Sequence, residues 1–163
     1  MPTPTYTPLA NITLGSAASS VTFSSISGAY RDLVLVYNGQ MTSNANFSIR
    51  LNGDTGTNYS HVMMQGPTNS GSGTYSFIYG YWNLALNSTR QTLNASFMDY
   101  SATDKHKTIL NRAGYTREFD SAFTVEAQAY RWPNTSAITT MLIYVSAGNF
   151  ATGSSFALYG IVA

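Results

Sequence analysis

The sequence predicts an all-β protein, an antiparallel sandwich or barrel of roughly ten strands. Three observations predict it. Apolar and polar residues alternate in short runs from end to end, as half-buried strands require. Clusters of Gly, Asn and Ser punctuate those runs at regular spacing. Helical periodicity is nearly absent. At 163 residues the chain is long enough to bury a core without disulfides. It divides into an extended N-terminal arm, residues 1–10, and a single sandwich domain, residues 11–163.

The arm carries Pro2, Pro4 and Pro8. Proline has no N–H to donate, so this stretch is expected to stay extended and out of any central strand. Strands are then expected at 11–14 and 20–26, followed by 32–38. The run "DLVLVY" at 32–37 is apolar on both faces, with Leu33, Leu35 and Tyr37 on one and Val34 and Val36 on the other. "ANFSIRLNG", 45–53, alternates cleanly, placing Phe47, Ile49 and Leu51 on one face and Ser48, Arg50 and Asn52 on the other. "NGDTG", 52–56, supplies residues that tolerate positive φ.

A strand at 60–65 leads into "GPTNSGSG", 66–73, expected as an exposed loop. "YSFIYGYW", 75–82, reads as a strand with Tyr75, Phe77, Tyr79 and Tyr81 on one face and Trp82 at its end. Residues 92–100 alternate through Leu93, Ala95 and Phe97, and a further strand is expected at 106–113. "FTVEAQAY", 123–130, is read with Phe123, Val125, Ala127 and Ala129 inward and Thr124, Glu126, Gln128 and Tyr130 outward. The last two strands, 138–146 and 155–162, contain "TMLIYV" and "FALYGIV", both apolar on two faces. Gly160 leaves room there for another backbone or ring.

Two-faced strands need cover on both sides, because large apolar patches are seldom left bare. The chain's own loops or a sister subunit can supply it. On the second reading Val34, Val36, Leu142, Tyr144, Tyr159 and Ile161 are the candidate interface residues. The aromatics Tyr79, Tyr81, Trp82, Tyr130 and Trp132 are candidates for partner or glycan contact, with core packing as the alternative.

Composition narrows the function. Charged residues make up 9 % and the net charge is +1. The basic residues are spread out, which does not fit nucleic-acid binding, since phosphate recognition clusters Lys and Arg. No cysteine is present, so disulfides, thiolate nucleophiles and Cys-based metal sites are ruled out. No apolar run approaches the ~20 residues of a membrane helix, and the start lacks the segments of a signal peptide. Synthesis in the cytoplasm of whichever cell makes it, and no membrane partner, are therefore expected. The acid pairs Asp99 with Asp104 and Glu118 with Asp120 could each serve general acid–base catalysis on a polysaccharide but read as turn residues, and His61 and His106 read as surface or interface polar residues. No catalytic residue, metal or cofactor is expected. "DTGTN", 54–58, reads either as a turn or as a calcium loop.

Four segments carry a resemblance: "YTPLANITLGSAASSVTFSSI" (6–26), "YRDLVLV" (30–36), "SIRLNGDTGTNYS" (48–60) and "SAGNFATGSSFALYGI" (146–161). In that order they resemble a group of bacteriophage virion structural proteins, common in phages of cyanobacteria and other aquatic bacteria. "MDYSATDKHKTILNRAGY" in the middle fits the same pattern. The resemblance spans nearly the whole chain. It implies a jelly-roll-like sandwich that sits as a homotrimer on the outer surface of the virion, and it brings no catalytic residues. It is expected to be a capsid decoration (cement) protein bound to the major capsid protein, with Pro2, Thr3, Pro4 and Tyr6 of the arm as capsid contacts. The alternative is a tail-fibre or receptor-binding domain that recognises host glycans. One arm and one compact domain, without a shaft, favour the first.

Overall fold

The computed structural model describes residues 5–66, 69–80, 88–116 and 123–162. Among these are twelve strands and no helix. They are β1 (Tyr6–Thr13), β2 (Ser20–Phe23), β3 (Asp32–Gly39), β4 (Phe47–Leu51), β5 (Tyr59–Gln65) and β6 (Asn69–Tyr75), then β7 (Ile78–Tyr79), β8 (Gln91–Met98), β9 (Lys107–Thr116), β10 (Phe123–Trp132), β11 (Met141–Val145) and β12 (Ser155–Ile161). An eight-stranded sheet has the order β1-β12-β3-β8-β9-β10-β5-β6, and a four-stranded sheet the order β2-β11-β4-β7. The pairings within both sheets are antiparallel. The chain crosses repeatedly from one sheet to the other, so the architecture is the expected antiparallel, jelly-roll-like sandwich.

Alternation builds the core. Leu33, Leu35, Tyr37, Ala95, Phe97 and Ile109 of the large sheet and Phe47, Ile49, Leu51, Met141 and Ile143 of the small one are fully or almost fully buried. Rings knit the layers together: Tyr37 lies 4.9 Å from Phe47 across the sandwich, and Phe150 packs on both. Each such side chain contributes roughly 1.5–3 kcal/mol by leaving water.

The Asn52-Gly53 pair makes the turn after β4. Both residues have positive φ, 49° and 70°, and the Asp54 N–H closes on the Leu51 carbonyl at 2.9 Å. This is the two-residue turn that Asn-Gly favours. The Asn52 side chain then clips the approach to β11. It accepts from the N–H groups of Thr139 and Thr140 and donates to the Ala137 carbonyl.

Four expectations are corrected. Residues 6–10 are not a free arm, because β1 pairs with β12 from Tyr6↔Ile161 to Thr13↔Ser155. An edge strand donates on one side only, and the register shifts between Pro8 and Ala10, so proline is tolerated there. Most of the 66–73 stretch is not a loop. It enters β6, an edge strand on β5 in which Gly73 makes room for the ring of Tyr75. The expected 75–82 strand is split among its described residues: Tyr75 ends β6, and Ile78–Tyr79 form β7, paired with β4, while Tyr81 and Trp82 lie outside the described residues.

The fourth correction concerns β10. Thr124, Glu126, Gln128 and Tyr130 are the buried side, at 1–4 % exposure, while Val125 is 75 % exposed. The strand is turned over relative to its hydrophobic pattern. The Phe123 side chain lies outside the described residues.

Candidate binding surfaces

The inversion of β10 follows from what its polar face meets. Tyr115 Oη donates to Glu126 Oε2 at 2.5 Å. Gln65 Nε2 donates to Tyr115 Oη at 2.7 Å and reaches Glu126 Oε2 at 3.4 Å. Gln128 Nε2 donates to Glu126 Oε1. Asn111 Nδ2 donates to the Tyr79 and Gly80 carbonyls at 3.0 and 2.9 Å. Buried polar groups are tolerable when hydrogen-bonded, and β5, β9 and β10 supply each other's partners. The cost is that the apolar side of β10 faces solvent.

That outer face continues across the sheet. The register aligns Val34, Ser96, Leu110, Ala129 and Val62 in one row, and Val36, Asn94, Arg112, Ala127 and Met64 in the next. Val125 stands beyond them, opposite Gly114. Val62 is 59 %, Met64 69 % and Leu110 45 % exposed. With strands ~4.8 Å apart and residues ~3.4 Å apart, the patch measures about 20 Å by 14 Å. At roughly 300 Å², interrupted by Ser96, Asn94 and Arg112, it is the size of the largest patch on a typical monomer, which is often functional. Two shallow grooves cross it, of about 270 and 410 Å³, and Arg112 borders both.

The candidate interface residues are dispersed. Val34 is buried within its own chain at 5 % exposure, so it needs no sister subunit. Val36 is half-buried and belongs to the patch. Leu142 and Tyr144 are half-buried on the other sheet, where the Arg50 guanidinium lies 5.1 Å over the Tyr144 ring and donates to its hydroxyl at 3.2 Å. Burial raises the Tyr144 hydroxyl above its usual pKa, with Arg50 opposing. Tyr159 and Ile161 are half-buried on β12, and Tyr159 meets the edge of Tyr6 at 6.4 Å. Tyr6 is 55 % exposed. Pro2, Thr3 and Pro4 lie outside the described residues.

The aromatic candidates also separate. Tyr130 and Trp132 are buried, at 2 % and 0 % exposure, and present no ring to a partner or sugar. Tyr130 accepts the Tyr79 N–H at 3.0 Å and stacks on His61 at 5.0 Å. Trp132 stacks on Tyr59 and donates to Asp54. Each polar tip finds an interior partner, which lets the ring stay in the core. Tyr79 is half-buried in a cluster with Tyr75, Phe77 and Tyr144. Three of these contacts are edge to face at 76–77° and Tyr75 meets Phe77 at 40°, so the rings are not coplanar and form no flat stacking platform.

The polar candidates are structural. Asp54 accepts from the Gly56 N–H, Asn58 Nδ2 and Trp132 Nε1, which supports the turn reading of 54–58. Among the described residues no three His, Asp or Glu side chains are grouped to hold a metal ion. His61 is buried, not superficial, because its ring is sandwiched against Tyr130 and Tyr75. His106 is exposed and accepts from Arg131. Asp99 takes a positive φ in its turn, donates its N–H to Asp32 and pairs with Lys105 at 3.6 Å. Asp104 is exposed, and Glu118 and Asp120 lie outside the described residues. Lys107, unremarked in the sequence, is fully buried with Nζ donating to the carbonyls of Ala102, Lys105 and Thr135.

No family model matches the chain, and no curated protein matches it. Among solved structures it is similar to the Caenorhabditis elegans galectin LEC-6, at 14 % identity over 90 % of this chain and 94 % of that one, with a TM-score of 0.39. It is also similar to a double mutant of the alginate lyase Aly36B in complex with alginate tetrasaccharide, at 10 % identity over 93 % and 80 % of the two chains, with a TM-score of 0.34.

Proposed function

We propose that this protein works by adhesion: it is a phage virion structural protein, a capsid decoration protein that binds the shell as a trimer and stabilises it. The observation that supports the reading is the exposed apolar face of β5, β9 and β10, with Val62, Met64, Leu110 and Val125 turned to solvent over a hydrogen-bonded interior. Such a face suits permanent attachment to other protein. The virion assignment itself rests on the sequence resemblance. Many copies, each burying a modest patch on neighbouring capsid subunits, would brace the shell by multivalent contact.

The alternative, a tail-associated domain that recognises glycans, draws only on the Tyr75, Phe77, Tyr79 and Tyr144 cluster, whose rings are not coplanar. Co-sedimentation of the purified chain with decoration-free capsids of the encoding phage tests the first reading. Saturation at hundreds of copies per particle is expected. No binding to capsids, together with selective signals on a glycan array, would overturn it in favour of the second.

A further inference from the structure

We propose that the outer face of the large sheet takes an apolar protein surface bearing a carboxylate opposite Arg112, and not a second copy of this chain. The inference deepens the adhesive reading above and rests on it. Arg112 stands in the middle of the patch. Asn94 and Ala127 flank it across the strands, and Leu110 and Gly114 lie two residues either way along β9. It is exposed and makes no ion pair or hydrogen bond among the described residues. Both grooves of the face run up to its side chain.

Among the described residues, the rows around Arg112 offer it nothing of opposite sign. The three rows that make up the patch contain no Asp or Glu from β12 to β5. Asp32 begins β3, on this side of the sheet. It already accepts from the Asp99 N–H and pairs with Arg31 at 3.7 Å. Two copies joined face to face would bring two guanidinium groups into a desolvated contact with no carboxylate from the described rows of either. That arrangement is penalised twice, by like charge and by burial of unpaired ions. A partner that carries its own carboxylate reverses both terms. Its two oxygens match the planar fork of the guanidinium, and its apolar residues fill the grooves on either side. The trimer contact of the proposed function must then lie elsewhere on the chain.

The experiment uses the full chain and decoration-free capsids of the encoding phage as the probe. Bound fraction is measured by co-sedimentation for the wild type, Arg112→Lys, Arg112→Gln, Arg112→Glu and Val125→Ser, with folding checked by circular dichroism. Arg112 and Val125 are exposed, so the variants are expected to fold. Affinity should fall at least tenfold in Arg112→Glu and by less in Arg112→Lys, and should fall severalfold in Val125→Ser. The wild type should weaken with added salt, and Arg112→Gln should weaken less steeply. Sedimentation equilibrium of the free chain should give one oligomeric state for all five proteins. If the wild type binds capsids and Arg112→Glu binds equally well, this inference falls while the adhesive reading stands. If Arg112→Glu or Val125→Ser changes the free oligomer, the occupant is a sister copy and the inference is overturned. If the wild type does not bind capsids at all, the virion reading fails, and this inference with it.

Discussion

The indole Nε1 of Trp132 donates to Asp54 Oδ2 at 2.7 Å, tying the end of β10 in the large sheet to the turn that leaves β4 in the small one. The same carboxylate gathers Gly56 and Asn58, and Trp132 stacks on Tyr59, whose hydroxyl accepts the Leu51 N–H at 3.1 Å. One acid thus fixes a loop and latches two layers.

Removing that acid should be costly. Asp54→Ala leaves the buried indole N–H unpaired and frees the 54–58 turn, and a hydrogen bond to a charged group is worth about 1.5–3 kcal/mol. A loss of about 2–3 kcal/mol is expected, with Asp54→Asn losing roughly half as much because the amide oxygen still accepts. Urea denaturation measures both. An unchanged midpoint in Asp54→Ala would show that the latch contributes nothing.

Acid should loosen the fold in two steps. Burial pushes the His61 imidazole below its ordinary pKa of 6.5, against a weaker opposing hydrogen bond to the Gly73 carbonyl. Burial would raise the Asp54 carboxyl, but hydrogen bonds from Trp132, Asn58 and Gly56, with Arg50 nearby, together hold it below 3.8. Both groups bind protons more readily in the unfolded chain. Their contribution is therefore full above the unfolded pKa and is lost as pH falls through the folded one. Stability should decline below about pH 6.5 through His61 and again below about pH 4 through Asp54. His61→Phe should flatten the first decline. Parallel profiles for variant and wild type between about pH 7 and pH 5 would refute the assignment to His61.

Much of the sandwich is legible in the sequence because strand period and burial coincide at Phe47, Ile49 and Leu51, at Leu93, Ala95 and Phe97, and at Leu33, Leu35 and Tyr37. What is not legible depends on partners distant in the chain. Alternation divides β10 into two faces without saying which is inside. That is decided by Gln65 and Tyr115, on two other strands, which make Glu126 tolerable in the interior. Tyr130 and Trp132 resemble surface aromatics until Tyr79 and Asp54 are seen to hold their polar tips. β6 reads as a loop because Gly and Ser have poor strand propensity, yet backbone pairing with β5 suffices. Of the proposed attachment face, Val36 and the buried Val34 are the members that two-faced strands single out. The others carry a signal of their own, apolar residues two apart at Val62 and Met64 and at Val125, Ala127 and Ala129.

Gly160 is a packing residue, and its loss should be felt through one ring. A Cβ at this position would lie closer than 3.0 Å to ring carbons of Tyr30. Tyr30 is held in place, since its carbonyl accepts from Ser101 Oγ at 3.2 Å and the neighbouring Arg31 N–H donates to the Ile161 carbonyl at 2.9 Å. Overpacking of this kind costs about 1–3 kcal/mol. Gly160→Ala should lose that much in the wild type and less than about 0.5 kcal/mol in a Tyr30→Ala background, a coupling that a double-mutant cycle reads directly. Equal losses in the two backgrounds would place the strain elsewhere.

The inverted face of β10 gives the sharpest contrast between neighbours. Hydrophobic pattern alone predicts that replacing Val125 by a polar residue damages the core and that replacing Glu126 is harmless. The structure reverses both. Val125 is 75 % exposed and packs against little, so Val125→Ser should change stability by no more than about 0.5 kcal/mol, as surface substitutions do. Glu126 is 1 % exposed and accepts from Tyr115, Gln65 and Gln128. Glu126→Ala takes away the acceptor that these donors share and opens a cavity among them, and a loss of about 2–4 kcal/mol is expected. Glu126→Gln keeps the shape and one acceptor oxygen and should fall between the two. Thermal and urea unfolding of the three variants, read side by side, decide the orientation of the strand. A Val125→Ser loss as large as that of Glu126→Ala would mean that β10 sits with its apolar side inward after all.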